Sequence, residues 1–98
     1  MAKVIDITDK LSFEGNPQLV IKGKKVEVNG DAHTMLTVLG LMGSDDPSPK
    51  EIKEAYEALF PEKSQAIIKS LKIQFKDLMV VIQEAIGLLT GGNESGGE

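Results

Sequence analysis

This chain of 98 residues contains no cysteine, no arginine and no tryptophan, and only one histidine. Each gap removes a class of chemistry. Without cysteine there are no disulfides, no thiolate nucleophile and no cysteine metal site. All eleven basic residues are lysines. The bidentate guanidinium contacts that grip phosphate or read guanine are therefore missing. The net charge of −4 also opposes a nucleic-acid backbone. Three Phe and one Tyr are too few for a base-stacking platform. No apolar run approaches the roughly 18 residues of a membrane span. The opening "MAKVIDITDK" lacks the pattern of a signal peptide. Composition thus points to a cytoplasmic protein with no nucleic-acid or membrane partner.

Catalytic groups are equally sparse. His33 falls in the first turn of an expected helix, with no nucleophile or carboxylate placed beside it by spacing. Asp45 and Asp46 are adjacent in a proline-flanked loop, but a calcium loop needs acidic residues at alternate positions, a central glycine and a terminal glutamate. The glycines Gly23, Gly30, Gly40 and Gly43 fall into no phosphate-cradling spacing. The expectation is a non-enzymatic protein with no cofactor, no metal and no small-molecule substrate.

What the chain does have is a pattern for a small α+β domain. "KVIDITD" alternates β-branched and polar residues and predicts a short first strand. In "QLVIKGKKVEVNG" the runs Leu19-Val20-Ile21 and Val26-Glu27-Val28 flank a Lys22-Gly23-Lys24 turn, which predicts a β-hairpin with Val26 and Val28 on one face. Asp31 is placed to cap a helix over "AHTMLTVLGLM". Met35, Leu36, Val38, Leu39, Leu41 and Met42 cover most of its circumference, which predicts burial on several sides. Gly43 is placed to close it.

Ser48, Pro49 and Glu51 form a capping box with proline in the first turn, so a second helix follows. Ile52, Ala55, Tyr56 and Leu59 lie along it at helical spacing, and Pro61 ends it. A third helix is expected over about 62–71, burying Ala66, Ile67 and Leu71. After a break near Lys72-Ile73-Gln74, a last helix runs to about Thr90. The expected architecture is one α+β domain over 1–90: a small N-terminal antiparallel sheet followed by about four helices. The tail 91–98, with four glycines after Thr90 and no apolar residue, is expected to be disordered.

The last helix carries more apolar surface than one face needs. Phe75, Leu78, Met79, Ile82, Ala85, Ile86 and Leu89 form one seam at 3-4 spacing. Val80, Val81 and Leu88 fall outside it. One reading buries this surplus under the domain's own sheet and helices. The other makes it an interface for a partner or a second copy, through Leu41, Met42, Ile73, Val81, Leu88 and Leu89. Small domains cover a wide helix incompletely, and both readings stay open at this point.

The order of parts, from "VIDITDKL" through "LVIKGKKVEVN" to "FKDLMVVIQEAIGLLTGG", resembles that of the tail assembly chaperones of long-tailed bacteriophages and prophages. The ending of that family is matched here by a polar entry at Ser70, then Phe75, Asp77, Leu78, Val81, Ile82, Ala85 and Ile86. The resemblance covers roughly residues 3–92. It implies a non-enzymatic chaperone in the cytoplasm of the bacterial host. Such a protein coats the tape measure protein, self-associates into spirals through apolar helix surfaces, and leaves as the tail tube polymerises. The family is made in two lengths through a ribosomal frameshift, and the glycine-rich tail suits a linker to a longer form. Two other readings compete: a small structural tail or capsid accessory subunit, and a bacterial protein-interaction adaptor. The first is expected to carry long strands and the second a basic recognition helix; this sequence supplies neither pattern.

Overall fold

The structure, a computed structural model, describes residues 3–11 and 15–91. A two-stranded antiparallel sheet is followed by four helices: β1 (Gln18–Ile21), β2 (Lys24–Glu27), α1 (Ala32–Leu41), α2 (Pro49–Leu59), α3 (Glu62–Leu71) and α4 (Phe75–Thr90). This is the α+β order expected from the sequence. The expected disordered tail from Gly92 onward lies outside the described residues.

The hairpin forms because its loop residues tolerate the required backbone. Ile21 faces Lys24 and Leu19 faces Val26, leaving Lys22 and Gly23 as a two-residue loop, one residue shorter than the sequence suggested. Both loop residues have positive φ, 51° and 77°. That combination matches the right-handed twist of the flanking strands. Val26 and the following Val28 point inward and are fully buried, as their alternation requires.

The predicted first strand over "KVIDITD" does not form. Residues 3–7 have no regular structure, and Thr8–Lys10 make a single 3₁₀ turn held by Asp6, which accepts hydrogen bonds from the Thr8 N–H and hydroxyl. Those two hydrogen bonds, hydroxyl first, hold the Asp6 carboxyl below its usual range. A strand pattern specifies a strand only where a neighbouring strand satisfies its backbone.

Caps set the helix starts. Asp31 accepts from the Thr34 N–H at 3.0 Å and the Thr34 hydroxyl at 2.7 Å, which lowers its pKa, the hydroxyl contributing most. At α2 the capping box is complete: Ser48 Oγ accepts from the Glu51 N–H, and Glu51 Oε1 accepts from the Ser48 N–H. The carbonyls exposed at the end of α2 are taken by Asn29. Its side chain donates to Ala58 O at 2.9 Å and its N–H to Leu59 O at 2.7 Å. The hairpin exit is thereby tied to the end of α2.

The core draws on β2 with the residue that follows it and on all four helices, with Leu19 and Ile21 of β1 half-buried against it. Val26 and Val28 meet Val38 of α1, Ala55, Leu59 and Phe60 of α2 and its end, Ile68 of α3, and Ile82 and Ala85 of α4. Burying such side chains is worth about 1.5–3 kcal/mol each. α1 packs chiefly on α2, and α3 on β2.

Two burial expectations need correction. α1 is not enclosed on several sides: Val38 alone is buried, Met35, Leu41 and Met42 are half-buried, and Leu36 (70% exposed) and Leu39 face solvent. Among the described residues only α2 packs on it extensively, so much of the rest of its circumference stays open. Gly43 follows α1 without positive φ; Met42 is the cap residue. In α3 the buried positions are Ser64 and Ile68, while Ala66 is exposed and Ile67 and Leu71 are half-buried. The face is selected by a polar contact that apolar spacing does not report: Ser64 Oγ donates to the Glu27 carbonyl at 2.6 Å.

Candidate interaction surface

The break between α3 and α4 is made by Lys72, whose φ of 53° and ψ of 43° are left-handed. A non-glycine residue there costs roughly 1–2 kcal/mol. No glycine or proline marks the spot in sequence, yet the chain turns. Ile73 and Gln74 then form a short extended link, and α4 starts at Phe75.

This elbow separates two grooves. The larger, about 700 Å³, runs between α2, α3 and the start of α4, where Tyr56, Ile68, Ile73, Phe75 and Leu78 supply its apolar lining. Glu62, Lys69 and Lys72 stand among its walls. The smaller, about 350 Å³, lies between the hairpin tip and α4, lined by Ile21, Leu71, Ile73, Val80 and Val81 with Lys22 and Asp77. Ile73 belongs to both. Phe75 is 62% exposed beside the first groove, and Val80 is exposed beside the second. The Tyr56 and Phe60 rings lie 5.5 Å apart at 48°, in the tilted arrangement aromatic pairs favour. Burial, then the nearby Glu57 carboxylate, raises the Tyr56 pKa.

The six residues expected at an interface do not gather at one place. Ile73 and Val81 come together in the smaller groove. Leu41 and Met42 sit at the end of α1, half-buried against the core. Leu88 and Leu89 are half-buried near the end of α4, and Leu89 packs close to Gly30. All six are half-buried, and all but Leu88 pack against the core cluster. The most exposed apolar side chains lie elsewhere: Val4, Ile5, Val20, Leu36, Phe75 and Val80. Val80 was legible as a residue off the α4 seam. Phe75 was placed on the seam, but it heads α4 ahead of the first core contact. Within that seam Ile82 and Ala85 are buried, and Leu78, Met79, Ile86 and Leu89 are half-buried.

Electrostatics at the sheet centre on Glu27. Lys63 Nζ lies 2.7 Å from one carboxylate oxygen, and Asn16 Nδ2 donates to the other at 2.7 Å. Lys63 foremost, then Asn16, holds the Glu27 carboxyl below its ordinary value. Asn16 also accepts from the Gly30 N–H at 3.0 Å, pinning the entry to β1 against the exit from β2.

Among the described residues, no three His, Asp or Glu side chains converge as a metal site, and no helix is long and apolar enough to cross a membrane. No protein-family model, curated protein or solved structure compared with this chain matches it.

Proposed function

We propose that the chain is a non-enzymatic assembly chaperone of the phage-tail type, which self-associates and binds a tape measure protein. The resemblance of its element order and of the "FKDLMVVIQEAI" stretch supports this reading. One structural observation carries it furthest: two apolar grooves flank Ile73, with Phe75 and Val80 exposed beside them. Grooves of this kind accept the apolar face of an amphipathic partner helix, read at i, i+3, i+4 and i+7. The lysines and acids on the walls leave the contact reversible, as a chaperone that must be displaced requires.

The test is capture of a co-expressed tape measure protein by the wild type and by Phe75→Asp and Val80→Asp. Both positions are exposed, so the charges stay hydrated in the free protein and the thermal midpoint is expected to hold. Capture is expected to fail, because docking would bury an unpaired carboxylate. Undiminished capture by both variants overturns the groove assignment. Stoichiometric retention of the protein in finished particles overturns the chaperone role.

A further inference from the structure

The N-terminal arm and the hairpin carry complementary unmet needs. Lys3 to Ile7 has the composition of a strand but no strand partner among the described residues, and Val4 and Ile5 are 94% and 74% exposed. The hairpin has two edges. On the outer edge of β2, α3 is already seated, with Ser64 bonded to the Glu27 carbonyl. The outer edge of β1 differs. The two-residue loop pairs Ile21 with Lys24 and Leu19 with Val26, so the backbone groups of Gln18 and Val20 point away from the hairpin. They have no hydrogen-bond partner among the described residues, and Val20 is 67% exposed. An edge of this kind is a template for another strand.

We infer that the arm of one copy adds as a parallel strand to the β1 edge of a second copy. Charge sets the direction. β1 runs toward a tip bearing Lys22, Lys24 and Lys25, none of which is ion-paired among the described residues. A parallel arm brings Asp6, Asp9 and Lys10 toward that tip, one negative charge in excess, whereas an antiparallel arm brings Lys3 there. Direction in turn works against the chain's own edge. A parallel connection needs about a dozen residues or more; ten residues, 8–17, separate Ile7 from Gln18, and three of them are held in the Thr8–Lys10 turn. The arm therefore reaches a neighbour. This deepens the self-association in the reading above, and rests on it, by naming the contact that links copies. Each copy offers one arm and one edge, so the contact is heterologous and propagates.

The chain has no native thiol, so single cysteines report cleanly. Val4→Cys protein is mixed with Gln18→Cys protein and treated with a short bismaleimide. An interchain dimer is expected on a denaturing gel. Val4→Cys mixed with Lys22→Cys is expected to link far less, since four residues of strand separate the sites by about 13 Å. A preference for Lys22 overturns the parallel arrangement. A Val4→Cys, Gln18→Cys double variant that links within one chain at high dilution overturns exchange between copies. Sedimentation of the full chain is run alongside. Oligomers without any Val4–Gln18 link overturn the arm contact but leave self-association standing, whereas a monomer at every concentration overturns both.

Discussion

Residues 18–28 and residues 3–7 are both rich in β-branched side chains, yet only the first stretch becomes sheet. β1 and β2 are joined by a loop with both φ values positive, so each strand finds its partner within ten residues. Val26 and Val28 then join the buried core, and α3 packs on β2, with Ser64 satisfying the outer carbonyl of Glu27. The arm has neither advantage. Among the described residues it has no strand partner, and its apolar side chains meet solvent. Propensity is the same in kind; supply of a partner differs.

The comparison can be broken most directly at the core. Phe60→Ala and Ile82→Ala each remove a side chain with no exposure and are expected to cost about 3–5 and 2–5 kcal/mol. Ile5→Ala in the arm is expected within about 0.5 kcal/mol of wild type. Denaturant midpoints at low protein concentration decide it; a comparable loss at Ile5 would mean that the arm is part of the monomer's core.

A smaller effect isolates the α3 contact. Ser64→Ala leaves the Glu27 carbonyl without its donor in a part-buried setting, with an expected loss of about 1–3 kcal/mol. Amide exchange should quicken in β1 and β2 first. If exchange there is unchanged, the hairpin is held without Ser64, by Val26, Val28 and the contacts of Lys63 and Asn16 with Glu27.

The turn is the next lever. Gly23 has φ of 77° and open space around a notional Cβ, so only backbone strain opposes substitution. Gly23→Val is expected to cost roughly 1–2 kcal/mol. A neutral result would show the loop adopting another form and would weaken the claim that loop geometry separates hairpin from arm.

The smallest effect is acid sensitivity. The Glu27 pKa is lowered in the folded state, chiefly by Lys63, so its contribution is present above the usual carboxylate range and fades as pH falls through the lowered value. Glu27→Gln should flatten the acid limb of the stability curve slightly, and the exposure of Lys63 keeps the change small. An unchanged limb would assign the acid response to other carboxylates, Asp31 first among them, because Thr34 lowers its pKa in the same direction.

Local chemistry was written in the sequence wherever neighbours along the chain decide the outcome. The Ser48–Glu51 capping box, the Asp31 cap and the break before Phe75 involve contacts within a few residues, and each stands where the sequence places it; the hairpin loop does so to within one residue, Lys24 joining β2. The α4 seam was legible at Ile82 and Ala85 for the same reason: a sixteen-residue helix repeats its pattern often enough to point its face. Tertiary structure alone decided the rest. Whether α1's wide apolar surface is covered depends on how many elements reach it, and only α2 does so extensively. Which face of α3 turns inward depends on a carbonyl 37 residues earlier in the chain, which recruits Ser64 in preference to Ala66. Whether "KVIDI" is a strand depends on a partner edge, and a strand's hydrogen bonds, unlike those of a helix, are made outside its own segment.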